Sequence, residues 1–171
     1  MIMSILHKKY PLENIKPLKK TIASSFRMLI VLLVFLMAFI FFKFSNKKNI
    51  DLFQGSFLTI LSYLVGFFVL LIIIRYIYEV FYLKYYHYDL IKKNLIIKKG
   101  VFSKNEITLP INKIQDVYVD QDILDRIFGL YDVHVSSATM ISGNLSHIDG
   151  LNNKNADIIK KLILKEINKN G

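Results

Sequence analysis

Two uninterrupted apolar runs constrain this chain more than any other feature of its sequence. They cover residues 22–42 and 55–74, each about 20 residues long, and their only charge is Arg27, near the start of the first. At 1.5 Å per residue, each run forms a helix of about 30 Å, the thickness of the hydrocarbon core of a bilayer. A domain this small cannot enclose two helices that are apolar on every face, so the sequence predicts two membrane spans.

Basic residues around the two runs indicate the orientation in the membrane. Residues 1–21 form a basic N-terminal segment, and the loop between the spans is short. Lysine and arginine stand on three flanks: Lys8, Lys9, Lys16, Lys19, Lys20 and Arg27 at the first span, Lys43, Lys47 and Lys48 in the loop, and Arg75, Lys84, Lys92 and Lys93 after the second span. The excess outside the loop predicts a two-span protein of the cell membrane with cytoplasmic N- and C-termini.

Composition excludes several classes of function. The chain has no cysteine, which excludes disulfides and thiolate sites, and its net charge is +10. A positively charged domain beside an anionic leaflet explains that charge, and the chain lacks a recognition helix or stacking platform for nucleic acid. The four histidines have no paired spacing, and the aspartate-rich stretch after residue 115 lacks the glycine and glutamate of a calcium loop. We therefore expect no metal, no cofactor and no enzymatic activity.

The pattern changes to period two near residue 85, which marks the start of a domain at residues 85–171. Before it, residues 75–84 are predicted to continue the second span as a helix, and tyrosines up to Tyr88 suit an interfacial belt. Consecutive antiparallel strands are predicted over residues 85–91, 95–102, 105–111, 113–121 and 130–138, with a weaker strand near 145–148. A helical turn at 122–129 and a C-terminal helix complete an α+β domain, expected to be a small bent sheet or barrel closed by that helix.

One segment, LPINKIQDVYVDQDILDRIFGLYDVHVSSA from residue 109 to 138, closely resembles the signature of the bacterial pleckstrin-homology-like domain of the membrane-flanked type. The resemblance covers about residues 80–168 and includes the upstream hairpin YDLIKKNLIIKKGVF. It implies a pleckstrin-like split β-barrel of about seven strands, capped by the C-terminal helix and preceded by a membrane α-hairpin. In such a barrel, Val117 and Val119 point inward and the turn from Ile123 to Phe128 forms a plug.

Fold does not give function, so the resemblance suggests roles without fixing one. We expect a non-enzymatic interaction or scaffold module in a membrane complex, which self-associates or binds another membrane protein. The alternatives are a self-protection protein against a membrane-active bacteriocin and a sensor of anionic lipid headgroups. Motif residues that could form an interface are Pro110, Lys113, Gln115, Asp116, Gln121, Arg126, Phe128 and Gly129.

Five lysines on the first predicted hairpin form a second candidate surface. They are Lys92, Lys93, Lys98, Lys99 and Lys104. A juxtamembrane domain gains roughly 1 kcal/mol per lysine near an anionic leaflet without a specific pocket. We therefore expect charge-driven docking on the lipid bilayer, with a defined headgroup site as the alternative.

Overall fold

The computed structural model describes residues 5–45, 54–137 and 146–169. The chain divides into two compact units. One consists of residues 20–79. The other joins the residues up to 19 with the residues from 80 onward. Three helices precede the strands: α1 (Ile5–Lys9), α2 (Lys16–Ser45) and α3 (Gln54–Tyr85).

Helices α2 and α3 contain both predicted spans and continue beyond them. The segments Lys16–Ala38 and Thr59–Tyr85 are long and apolar enough to cross a membrane, and in the most apolar 18-residue stretch of each almost no residue is buried within the protein. A core helix of a soluble protein would be largely buried, so the exposure favours lipid as the surrounding medium. Pro17 lies in the first turn of α2, where its missing N–H costs no helical hydrogen bond.

Six strands in the described residues form two antiparallel sheets. The first sheet contains β1 (His87–Ile91), β2 (Asn94–Lys99) and β3 (Asn105–Pro110), in that order. A 3-10 turn (Ile111–Lys113) leads to the second sheet, ordered β4 (Ile114–Asp120), β5 (Tyr131–Ser137) and β6 (His147–Leu151). Helix α4 (Ile123–Phe128) joins β4 to β5, and α5 (Asn153–Asn168) follows β6. This arrangement is consistent with the predicted pleckstrin-like fold. The end of the predicted fifth strand and the start of the weak sixth lie outside the described residues.

The core of the domain follows the predicted alternation of apolar residues. Leu95 and Ile97 of β2 are fully buried, as are Val133 of β5 and Ile159 and Ile163 of α5. The Asn152 side chain caps α5 by accepting a hydrogen bond from the Asn155 N–H at 2.8 Å. The prediction that Tyr86 and Tyr88 belong to an interfacial belt is wrong. Both are buried in this core, because the chain has already entered the sheet where they occur.

Residues 5–19 pack onto the domain and complete its core; we call them the N-terminal strap. Leu12 belongs to the buried core cluster, and Leu6 and Tyr10 pack against it. The backbone N–H groups of Ile5 and Leu6 donate to the Asp89 carboxylate at 2.9 and 3.3 Å. The Tyr88 hydroxyl donates to the Tyr10 carbonyl. The segment predicted as separate, residues 1–21, is therefore largely part of the domain that residues 80–171 form.

The strap also places a lysine inside the domain. Lys16 is 2% exposed, and its Nζ donates to the Asp149 carboxylate at 2.7 Å and to the Asp149 carbonyl at 3.0 Å. The same ammonium lies 4.1 Å from the centroid of the Tyr86 ring. A Cβ at Gly150 would come within 2.5 Å of the Lys16 Cδ, so only glycine leaves room for this side chain. Burial and the nearby Asp149 carboxylate raise the pKa of Tyr86 well above its usual range.

The strap has a consequence for membrane topology. Residues on both flanks of the helical hairpin lie in one compact unit. The hairpin must therefore begin and end on the same side of the membrane, as two crossings require. That this side is the cytoplasm remains a prediction from the lysine and arginine distribution.

Acidification is expected to destabilise the strap through His7. Burial, together with the neighbouring His87 and Lys16, lowers the pKa of His7 from 6.5 to about 4. Because the pKa of His7 is lower in the folded than in the unfolded protein, the contribution of neutral His7 to the free energy of unfolding is fully present above pH 6.5. It is lost as the pH falls towards 4. The melting temperature of the full chain in detergent should fall over this range, and less steeply in His7→Phe. Equal slopes for the two proteins would contradict the assignment.

Candidate interaction surface

A bulge at the start of β4 turns two consecutive polar side chains outward. Ile114 and Val117 are both buried, and the register against β5 shifts between Ile114 and Asp116. Gln115 and Asp116 are consequently both exposed. Strict period-two alternation predicts Ile114 on the opposite face of the strand to Val117, and this prediction is wrong. A bulge inserts one extra residue, so the residues before it point to the opposite face from the one that alternation predicts. Val119 is half-buried against the core, as predicted.

Aromatic rings continue this outer face across the second sheet. The rings of Tyr118 and His134 are stacked with centroids 5.0 Å apart, and His134 stacks on His147 at 5.4 Å. The three side chains come from neighbouring strands, since Tyr118 pairs with His134 and His134 with His147. Stacking limits the freedom of the Tyr118 ring, which remains partly exposed beside the bulge. We call Lys113, Gln115, Asp116 and Tyr118 the β4 surface.

Some motif residues build the fold instead of a surface. The Gln121 Nε2 donates to the Leu130 carbonyl at 3.0 Å, which ties the two ends of the β4–β5 connection together. Gly129 ends α4 with φ of 66°, a conformation that glycine adopts without strain. Pro110 is exposed and ends β3, an edge strand of the first sheet, where its missing N–H is tolerated.

Helix α4 is not the apolar plug that the sequence suggested. Ile123 is 79% exposed, and Phe128 is only half-buried. The fully buried residues here are Asp125 and Leu130. The helix turns this way because a capping box and two ion pairs fix its acidic side inward. Arg126, another motif residue, is exposed.

The inward side of α4 is held by the strap. Asp122 caps the helix by accepting from the Asp125 N–H at 2.6 Å, and the Asp125 carboxylate accepts from the Asp122 N–H at 3.3 Å. The Lys19 ammonium lies 2.5 Å from the Asp125 carboxylate and 3.1 Å from that of Asp122. The Asp-x-x-Asp spacing signalled the cap in the sequence, whereas the lysine partner could not be read from it.

The five hairpin lysines do not form one surface. Lys92 and Lys93 make the β1–β2 turn, both with positive φ, and both are exposed. Lys99 is buried, because it shares its face of β2 with Leu95 and Ile97. The ammonium of Lys98 lies 2.9 Å from the Glu106 carboxylate. Charge-driven docking on this hairpin would therefore depend mainly on Lys92, Lys93 and the exposed Lys104.

Cross-strand pairing brings together three groups that could ligate a metal. Oxygen atoms of Asp120 and Asp132 and a nitrogen of His134 lie within 4.8 Å of one another. The His134 Nε2 is 3.1 Å from Asp120, and Asp132 accepts from the Gly150 N–H at 2.8 Å. Burial and the nearby Asp149 raise the pKa of Asp132 to about 6. Intramolecular partners account for the positions of all three side chains, so we assign no cation here.

Two long apolar helices, two three-stranded antiparallel sheets and a C-terminal helix define a membrane protein with a pleckstrin-like domain. The family model described as bacterial PH domain matches residues 21–167, and the chain therefore belongs to that family. The whole strap, including Lys16 and Lys19, lies before the matched region.

The chain is also similar to the UPF0699 transmembrane protein YdbT of Bacillus subtilis (strain 168). The two are 33% identical over 57 residues, which is 32% of this chain and 12% of that protein. The chain thus spans a small part of the relative's length. No solved structure matches the chain.

Proposed function

We propose that this membrane protein is a non-enzymatic scaffold, whose bacterial PH domain binds a second copy or another membrane protein through the β4 surface. The observation that carries the proposal is the bulge that turns Gln115 and Asp116 outward together. Bulges are over-represented where a strand must re-aim a side chain towards a site. The Asp116 carboxylate accepts from the Val117 N–H at 2.8 Å, which fixes its position on this outer face.

The β4 surface has the character of a protein contact. It combines a partly exposed aromatic ring, an amide and a carboxylate on β4, whose other face is fixed in the core, with a lysine from the 3-10 turn that precedes the strand. Tyrosine in such a setting supplies contact area at a low cost in conformational entropy. The residues offer hydrogen bonds, charge and an aromatic ring to a partner, and we propose binding on that ground.

Site-specific photo-crosslinking at Tyr118 tests the proposal. Replacing Tyr118 with p-azidophenylalanine keeps the aromatic ring, and Phe102, exposed on the β2–β3 loop, serves as the comparison position. We expect irradiation of cells to link position 118, but not position 102, to a second copy or a membrane protein. Gln115→Arg should remove that product while changing the free energy of unfolding by less than about 0.5 kcal/mol, as is usual for exposed positions.

The other roles predict different results. A headgroup sensor would give no protein adduct at position 118 but would lose binding to anionic vesicles in a Lys92→Gln/Lys93→Gln variant. A bacteriocin self-protection protein would raise the survival of cells exposed to the peptide. It would do so whether or not position 118 forms an adduct in cells without the peptide. Adducts of equal yield from positions 118 and 102, or an adduct that Gln115→Arg leaves unchanged, would overturn the proposed scaffold surface.

A further inference from the structure

Helix α4 presents an apolar and basic side to the exterior of the domain. Ile123 and Ile127, one helical turn apart, are 79% and 69% exposed. Arg126 is also exposed and follows Ile123 by three residues, which places it on the same side of the helix. It makes no ion pair with any residue that the structure describes. Two adjacent aliphatic side chains with this exposure, beside an unpaired guanidinium, have the character of a contact surface.

The β4 surface presents groups of complementary character. The ring of Tyr118 is 45% exposed, and its stacking on His134 limits its freedom. Asp116 precedes Tyr118 by two residues and points to the same side of the strand, about 7 Å away. One oxygen of the Asp116 carboxylate accepts from the Val117 N–H, and within the described part of the chain this carboxylate has no cationic partner. An aromatic ring beside a carboxylate thus faces outward from β4.

We propose that the partner at the β4 surface is a second copy of this chain, which binds through its α4. The two exposed isoleucines of one copy pack on Tyr118 of the other. Arg126 of the first copy pairs with Asp116 of the second, since a guanidinium and a carboxylate match in charge and geometry. This inference rests on the proposed function and names its partner.

The chain itself supplies both halves of this contact. Its α4 offers aliphatic groups with a cation, and its β4 surface offers an aromatic ring with an anion. Because every copy carries both surfaces, a two-fold arrangement forms the contact twice, with each α4 on the β4 surface of the other copy. The complementarity in apolar character and in charge is what favours a second copy over an unrelated protein.

Photo-crosslinking from α4 tests which molecule it contacts. Replacing Ile127 with p-azidophenylalanine keeps this position apolar, and Leu164, an exposed apolar residue on α5, is the comparison position. Irradiation of cells that carry the full chain should link position 127, but not position 164, to a second copy. Peptide mapping of the adduct should place the new bond within residues 113–121.

Exchange of charges between two copies tests the ion pair. Arg126→Asp and Asp116→Arg each bring like charges together and should lower the yield of the adduct from position 127 at least about tenfold. When the two variants are co-expressed with different epitope tags, the mixed adduct should recover, because both ion pairs then join opposite charges. Recovery also shows that both variants fold. Lys154→Asp reverses an exposed charge on α5 and, as the matched control, should leave the yield unchanged.

The failure of this inference is distinguishable from the failure of the scaffold surface. An adduct from position 118 without one from position 127, or a link from 127 to a different protein, would exclude α4 of a second copy and leave the β4 surface in place. A mixed pair of variants that stays unlinked, or single variants that keep the full yield, would exclude the pairing of Arg126 with Asp116. Adducts from neither position in the otherwise unchanged chain would overturn both proposals.

Discussion

Replacing Lys16 with methionine is expected to lower the free energy of unfolding by about 3–5 kcal/mol, because it leaves the buried Asp149 carboxylate without its cation. Methionine keeps most of the side-chain volume, so the loss reports the charge and its two hydrogen bonds. A loss of this size corresponds to a fall of about 12 °C or more in the melting temperature of a small domain. Near-ultraviolet circular dichroism of the full chain in detergent would follow the tyrosines during melting.

The chain offers a matched control for this substitution. Lys161 also pairs with an aspartate, Asp157, at 2.6 Å, but both side chains are largely exposed. Exposed helical pairs contribute about 0.3–0.5 kcal/mol, so Lys161→Met should have little effect. Adding Asp149→Asn to Lys16→Met should recover part of the lost stability, because no unpaired charge then remains. Equal melting temperatures for the two single lysine variants would show that Lys16 is not buried against Asp149.

Much of the fold could be predicted because its signals are local. The two apolar runs define α2 and α3, period-two alternation marks the strands, and Asn152 and Gly129 stand where a helix cap and a helix end require such residues. Even the burial of Lys99 was implied, since it has the same parity as Leu95 and Ile97 on β2. Grouping Lys99 with the other hairpin lysines by charge ignores this parity, and that part of the predicted lysine surface is wrong.

The strap could not be predicted, because its partners are distant in sequence. Lys16 bonds to a residue 133 positions away, and Lys19 to one 106 positions away. In the sequence both appear as flanking charges that orient a span. The sequence alone gives them one predicted role, in the orientation of the two spans, and the folded domain shows another, the pairing of buried carboxylates.

The candidate site could be predicted only in part, because contacts distant in sequence also decide which of its side chains are exposed. The motif located β4 and α4, but a bulge and two ion pairs decide which of their side chains face outward. The bulge changes the facing of Ile114 relative to Val117. The ion pairs turn Asp125 inward and leave Ile123 outside. Neither effect has a periodic signal, so the outer surface of this segment becomes visible only in the folded domain.

Residues 80–171 expressed alone are expected not to fold, although they contain every strand described. Without the strap, three buried carboxylates lose the partners it supplies. Asp89 loses two backbone N–H groups, Asp125 loses Lys19 and Asp149 loses Lys16. Breaking one buried pair by removing a partner costs about 3–5 kcal/mol, and the whole stability of a domain is about 5–15 kcal/mol. Loss of Leu12 from the core adds to this deficit.

A soluble fusion separates the strap from the membrane hairpin. Residues 1–19 joined through a flexible glycine–serine linker to residues 80–171 should give one cooperative thermal transition, whereas residues 80–171 alone should give none. The same fusion carrying Leu12→Asp is the matched control, since it keeps the length and both lysines but places a charge in the core. It should melt at a much lower temperature or not cooperatively. If residues 80–171 alone melted at the same temperature as the fusion, the strap would be an accessory segment, and the stability of the domain would come from its two sheets and α5.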